Sequence, residues 1–353
     1  MVGIRDIAAH LNVSVASVSR ALNGHPYVNE DLRTRVVECA RLLGYQPTQS
    51  GRSLRQGLSR TVGFMIETHP KLAGLIDQFL MSISDGVQSV MHRHALNLVV
   101  LPCSADEDPV DFVRDVVARR FVDALILSAT RPNDKRVGVL AQAGMPFITL
   151  GRTGSRPEHA WIDLDFENFA EQSVDRLYRS GHKRIAVMVP VGPLNFGRIT
   201  LEGYKHALAA RGMPFDPALV AHVMLDEASA SAACDTFLKN ADPPTGIILI
   251  NEALASGVYR RLGEGGLEPG RDIAIISLED GRLRTLPSPL TRFRFDTREI
   301  GIALGEALLS RIPAFAELYP ATKDQQLFQF EIVEGTGAEG KTSDPPAKTA
   351  SSS

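Results

Sequence analysis

Residues 13–24, Val-Ser-Val-Ala-Ser-Val-Ser-Arg-Ala-Leu-Asn-Gly, constrain this chain more than any other stretch. Ser14 can cap a helix through its side-chain oxygen. Behind it Val18 and Leu22 stand at i, i+4 and face inward, so Val15, Ala16, Ser19 and Arg20 share the outward side. That side is short and hydroxyl-bearing, with one guanidinium. It fits a DNA major groove and lets Arg20 reach a guanine edge. A preceding helix over 4–11, apolar at Ile4, Ile7, Ala8 and Leu11, and a break at Asn12-Val13-Ser14 complete a helix-turn-helix. A third helix starts at Asn29, with Glu30 and Asp31 suiting the helix dipole. Its stripe of Leu32, Val36, Ala40 and Leu43 closes over the first two, and Gly44 stops it.

Charge supports a head unlike the body. The first sixty residues hold eight arginines against four acids, leaving +4; with −3 overall, the remainder carries −7. A basic head on an acidic body is the charge map of a DNA reader carrying a second module. Three scattered cysteines, Cys39, Cys103 and Cys234, imply no disulfide framework and a reducing compartment. The chain opens without a basic start and apolar run, and no stretch approaches the ~18 apolar residues of a membrane span. A cytoplasmic protein without membrane attachment is expected.

Residues 48–60 contain little that can be buried and read as a hinge segment, with a short helix over 48–56 that Gly51 weakens. From residue 61 strand and helix alternate. Buried strands are expected at 62–66, 98–101, 124–127, 147–150, 185–189, 246–250 and 273–276, with amphipathic stretches between most of them. The alternation breaks at 152–165, and an extended segment returns at 290–295. Two parallel sheets sharing crossing strands, with a cleft between them, account for this pattern. The predicted fold is an all-α headpiece over 1–47, the hinge segment, and an α/β core over 61–335. Crossovers are expected near 161–165, 290–296 and 320–327. The Gly, Ser, Thr, Lys and Pro content of 336–353 reads as a disordered tail.

Ile4-Arg5-Asp6-Ile7-Ala8, Val13-Ser14, Val18-Ser19-Arg20-Ala21-Leu22-Asn23, Arg35-Val36 and Leu43-Gly44-Tyr45-Gln46-Pro47 resemble the headpiece of the lactose/galactose repressor family of bacterial transcription regulators. The match continues through Leu177, Gly181-His182-Lys183-Arg184-Ile185-Ala186, Asn251-Glu252-Ala253-Leu254-Ala255 and Pro289-Leu290-Thr291, so it spans nearly all of 3–335. The resemblance implies a core like the periplasmic sugar-binding fold. It implies a homodimer reading a palindromic double-stranded operator, with half-sites about 10 base pairs apart, and a small-molecule effector that alters DNA affinity from the cleft. Carried over by position, Val15, Ala16 and Arg20 contact base edges, and Ser14, Ser17, Ser19, Asn23 and Tyr45 contact phosphates. Leu54, an apolar residue among Arg52, Ser53 and Arg55, matches the leucine that the family inserts into the minor groove. Gly3 stands where the family has a capping threonine, which removes one phosphate contact. With Gly51, this points to a weaker or more effector-sensitive grip.

Sugar sites need carboxylates and amides for hydroxyls and a flat apolar face for the ring. The family's loop positions make Asp77, Phe79, Arg152, Asp165, Arg198, Asn251 and Glu252 the effector-binding candidates. Trp161, Asp163 and Asp165 share one side of an extended segment; Trp161 either stacks a polyol or anchors the subdomain crossover. The family's ligand-binding arginine is here Thr200, with Arg198 either replacing it or pairing on the surface. Ser277-Leu278-Glu279-Asp280 replaces the usual Gly-Tyr-Asp-Asp, and its carboxylates read as structural. The effector is expected to be a sugar or sugar derivative, of a kind these residues leave open.

Rival classes lack their signatures. Glu-Thr-His-Pro-Lys follows the first strand where a dinucleotide-binding enzyme needs Gly-x-Gly-x-x-Gly, and no nucleophile elbow, phosphate loop or paired cysteines occur. His92 and His94 point to different faces of one helix and suit no metal. No enzyme activity, cofactor or metal is expected. A cytoplasmic sugar-binding protein and a ligand-dependent activator of the same fold are the alternatives to a repressor.

Overall fold

The computed structural model describes residues 2–22, 27–45, 59–68, 75–279, 290–319 and 324–335, with the backbone alone at 75–78. Asn23, the expected hinge helix with Gly51 and Leu54, and the expected tail over 336–353 lie outside the described residues. The chain divides into two compact units, Met1–Ser59 and Arg60–Ser353.

In the first unit α1 (Ile4–Leu11), α2 (Val15–Leu22) and α3 (Glu30–Leu42) pack on one another. Asn12 ends α1 in the left-handed region (φ 52°), a conformation asparagine tolerates, and this makes the sharp turn into α2. Asn29 caps α3 by accepting from the Asp31 N–H. Gly44 (φ 66°) closes α3, with the Tyr45 N–H bonded to the Ala40 carbonyl. Ile7, Val18 and Val36 are fully buried, joined by Ala8, Ala21, Cys39 and Ala40. Each large side chain buried in this way stabilises a domain by about 1.5–3 kcal/mol.

The second unit holds two sheets. The first uses β1 (Thr61–Glu67), β2 (Asn97–Cys103), β3 (Ala124–Leu127), β4 (Phe147–Leu150), β5 (Trp161–Leu164) and β11 (Gln325–Phe328), in the order β11-β5-β4-β3-β1-β2. Its strand pairs are parallel. The second uses β6 (Ile185–Pro190), β7 (Val220–Val223), β8 (Gly246–Leu249), β9 (Ala274–Glu279), β10 (Thr291–Arg294) and β12 (Glu331–Val333), in the order β12-β10-β9-β8-β6-β7. Only the β10–β12 pair is antiparallel among those described. The continuous burial of β3, β6, β8 and β9 follows from cover on both faces by helices. β5, β7, β11 and β12 carry no long apolar run, and of these the sequence pattern marks only 161–165 as extended.

Helices α4 (Leu75–Arg93), α5 (Pro109–Arg119) and α6 (Lys135–Gln142) serve the first sheet; α7 (Phe166–Arg179), α8 (Asn195–Ala210), α9 (Glu227–Leu238) and α10 (Glu252–Glu264) serve the second. α11 (Thr297–Leu309) returns from β10 to pack on α4. Glycines make that contact close: a Cβ on Gly301 would stand 2.2 Å from the Ile83 carbonyl oxygen. The chain passes between sheets after Leu164, after Arg294 and between Phe328 and Glu331. Phenylalanines knit these crossings together. Phe330 lies 6.2 Å from Phe166, 5.8 Å from Phe169 and 5.8 Å from Phe295, ring centre to ring centre.

Candidate functional site

The outward face of α2 is built as the periodicity requires. Val18 is fully buried and Ala21 nearly so, whereas Val15, Ala16 and Arg20 are exposed. Ser14 starts the helix, its Oγ accepting from the Ser17 N–H at 3.1 Å. Its hydroxyl also lies 2.9 Å from that of Ser17. Arg20 folds back along the helix, Nε donating to the Ala16 carbonyl at 3.2 Å. Ser17 and Ser19 are half-buried, and Tyr45 packs partly on the headpiece core.

A cavity of about 620 Å³ opens between the two sheets of the core. It lies at the carboxyl ends of the parallel strands, where open α/β sheets bind ligands. Glu67, Ser128 and Gly151 line it from the first sheet; Pro190, Val223 and Ile250 line it from the second. Two ring pairs form its apolar walls: Phe79 with Phe295 at 6.0 Å, and Phe166 with Phe196 at 5.3 Å. Gly151 (φ 103°) permits the loop after β4 to close on Thr130, whose Oγ1 would lie 2.5 Å from a Cβ there. Asn195 spans the cleft. Its N–H donates to the Thr130 carbonyl (2.8 Å) and its Nδ2 to the Arg152 carbonyl (2.6 Å).

The polar side of the cavity rests on an ion network that the sequence reading missed. Arg136 is fully buried. Its Nε and Nη2 donate to Asp134 (2.9 and 2.6 Å), its Nη1 to Glu67 Oε1 (2.7 Å). Nη2 also meets the carbonyls of Ser128 and Ala129. Arg131 grips the same Glu67 carboxylate from the other side, at 2.8 and 2.7 Å. Burial pushes the Asp134 carboxyl up, but Arg136 and two backbone N–H groups outweigh it, so the group sits below the usual carboxylate range. The available signal was Arg136 itself, an arginine on the buried stripe of a short helix beside Val137 and Leu140.

Of the effector candidates, Phe79, Asn251 and Glu252 line the cavity. Asp77 lies on α4, with its side chain outside the described residues. Arg152, Trp161, Asp165 and Arg198 are not among the residues that line it. Arg152 is held by Asp163 (2.9 Å) and Glu167 (2.5 Å), with its guanidinium 5.8 Å from the Trp161 ring centre. Trp161 opens β5, and the cavity lies at that strand's other end, where Asp163 reaches it. Asp165 lies past the strand and caps α7 through the Asn168 N–H. Arg198 is exposed and donates to Asn195 Oδ1 at 3.1 Å. Thr200 is fully buried and bonds within its own helix to the Phe196 carbonyl. Glu279 pairs with Arg292 and Arg294, in agreement with its structural reading. His94 Nε2 lies 2.7 Å from the Tyr319 hydroxyl, and no group of three or more metal-binding side chains occurs among the described residues.

A helix-turn-helix unit joined to a clefted two-sheet core is the build of a ligand-responsive DNA-binding regulator. The family profile described as bacterial regulatory proteins, lacI family, matches residues 3–48, and that of the periplasmic binding protein-like domain matches residues 174–334. The HTH-type transcriptional regulator AglR of Rhizobium meliloti (strain 1021) is 30% identical over 338 residues, covering 94% of this chain and 93% of that protein. The chain belongs to the lacI family of bacterial regulatory proteins. Among solved structures, the lac repressor dimer bound to operator and the anti-inducer ONPF superimposes with a TM-score of 0.81 at 22% identity, over 96% of this chain and 99% of that one. A transcriptional regulator CelR–cellobiose complex does so with a TM-score of 0.69 at 22% identity, over 96% and 100%. No helix among the described residues is long and apolar enough to cross a membrane.

Proposed function

We propose that this chain is a transcriptional repressor that grips a palindromic operator as a homodimer and is controlled by a sugar or sugar derivative bound between its two sheets. The observation that carries this reading is the exposed edge of α2, where Val15, Ala16 and Arg20 stand clear of a core closed by Val18 and Ala21. Side chains this small admit the helix deep into a major groove, and Arg20 supplies the bidentate donor that guanine requires. Ser14, Ser17, Ser19, Asn23 and Tyr45 position the headpiece on phosphates, and Leu54 enters the minor groove at the operator centre. The protein acts in the cytoplasm, where the chromosome lies, and the cleft binds without catalysing. The operator and cellobiose in the names of the two similar structures support the same pair of ligands here.

Effector control follows from the double contact of the cleft. A ligand shifts the equilibrium between two cleft geometries only by its difference in affinity for them. Fluorescence anisotropy with palindromic and shuffled fragments tests the reading. The full chain should prefer the palindrome by about 10³ or more at physiological salt, and deletion of residues 1–60 should abolish DNA binding while leaving sugar binding. Equal affinity for both fragments at every ionic strength refutes it.

A further inference from the structure

The geometry points to Glu67 and Arg131 as the hydroxyl-reading element of the cavity, and to a neutral polyol, a sugar without phosphate or carboxylate, as the effector it accepts. The inference rests on the regulator reading above and specifies the ligand of the same cleft. Neither residue was assigned a role by sequence position.

The argument starts from a misfit. A fully buried arginine is expensive to desolvate, and apolar replacements of buried ion pairs are often neutral or stabilising. Core packing alone therefore gives no reason for Arg136. Its position does: it lies beneath the cavity wall and fixes Glu67 Oε1 at 2.7 Å. Asp134, itself 2% exposed, balances its charge. Above this base, Arg131 binds both oxygens of Glu67. The Glu67 and Arg131 side chains are 21% and 27% exposed, and both line the cavity.

Count the valences left over. A carboxylate offers about four acceptor sites, and Glu67 uses three of them on the two guanidinium groups. Arg131 has five N–H donors by its chemistry, of which those toward Glu67 and the Ala129 carbonyl are engaged. The wall thus presents a fixed acceptor beside fixed donors. That pattern matches adjacent hydroxyls, each of which donates one hydrogen bond and accepts others. The rings of Phe79 and Phe166 supply the apolar faces on which C–H groups pack.

The same network disfavours anions. The four groups Glu67, Asp134, Arg131 and Arg136 sum to zero charge. Among the described lining residues Arg131 is the one cation, and it already serves Glu67; Glu107, Asp163 and Glu252 line the same space. At this wall a phosphate would have to take Arg131 from Glu67, with the Glu107 and Glu252 carboxylates in the same space and Asp163 already held by Arg152.

Titration calorimetry of the full-length protein tests this with maltose, cellobiose, trehalose and melibiose, each against its 6-phosphate and its uronic acid counterpart. At least one neutral disaccharide should bind, and its anionic counterparts should bind at least 100-fold more weakly. Glu67→Gln should weaken the neutral sugar tenfold or more and shrink the discrimination against the anions by a similar factor, because it frees Arg131. The unmodified protein answers the charge question even if that variant fails to fold. An anionic counterpart binding as well as its neutral parent overturns the inference. So does silence toward every neutral member, or Glu67→Gln leaving affinity and discrimination unchanged. Operator anisotropy on the same preparation separates the failures. Intact operator binding with the wrong ligand charge sinks this inference alone, whereas loss of operator preference sinks the regulator reading.

Discussion

Replacing Arg136 with methionine isolates the energetics of the buried network. The side chain is fully buried, and its bonds to Asp134 are 2.9 and 2.6 Å long. Methionine fills much of the volume but leaves Asp134 with only the N–H groups of Arg131 (3.2 Å) and residue 136 (3.1 Å). Removing one partner of a buried ion pair costs about 3–5 kcal/mol. The carbonyls of Ser128 and Ala129 lose a donor at the same time, a loss within that range because neighbouring terms do not add. Equilibrium urea unfolding of the full chain at pH 7.5, followed by circular dichroism, measures the change as a midpoint shift multiplied by the slope. The pH dependence supplies a second check. In the wild type the Asp134 carboxyl is depressed, so its contribution is complete above the ordinary carboxylate range and is lost as pH falls through the folded value. In the variant burial acts unopposed by Arg136 and raises that carboxyl. Its penalty should therefore shrink as pH is lowered from 7.5 to 5. Asp134→Asn combined with Arg136→Met should recover most of the loss. A deficit below about 1 kcal/mol, small against the range for a broken buried pair, refutes the reasoning. A double variant no better than the single one does the same.

Arg20→Ala should cost about 1–3 kcal/mol at one operator base pair and relax specificity there, measured by competition among single-base operator variants. Gly301→Ala should lower stability by about 1–3 kcal/mol or more in thermal unfolding, since its Cβ would meet the Ile83 carbonyl at 2.2 Å and drive α4 and α11 apart. Asn195→Ala removes the partner of the half-buried Arg152 carbonyl, a cost of about 1 kcal/mol to the present cleft geometry, so the ratio of effector and operator affinities should move by roughly 5-fold. Burial holds His159 below its ordinary value, so the unfolded chain takes up the proton first. Stability from this site is complete above about pH 6.5 and falls as pH is lowered toward the folded value, and His159→Gln should flatten the melting temperature between pH 7.5 and 5.5.

The headpiece was legible because its signals are local. Caps at Ser14 and Asn29, the left-handed Asn12 and Gly44, and three apolar stripes each act within a few residues. The buried parallel strands were legible for a related reason: double cover demands apolar runs such as Ala124–Leu127. The cavity was harder to read. Strand alternation places Asp165 on the side of Trp161 and Asp163, but the strand ends at Leu164 and Asp165 turns to cap α7. Arg152 occupied a family position, and Asp163 and Glu167 each take one donor of its guanidinium. The Glu67–Arg131 pair joins residues 64 apart, and no periodicity or spacing encodes such a meeting.

The rings at the crossings explain how a ligand in this cavity can reach the rest of the core. Phe166 follows β5 by two residues and Phe295 follows β10 by one, so both sit at points where the chain changes sheets. Each faces the cavity and also packs on Phe330, which lies between β11 and β12 at the third crossing. A ligand seated on these rings therefore touches all three crossings through one aromatic cluster. Close-packed rings switch between discrete arrangements rather than deforming smoothly. A ligand that fits both arrangements equally would bind and regulate nothing. Control by an effector thus requires it to favour one cleft geometry over another, and Phe166 and Phe295 stand where the ligand and the crossings meet.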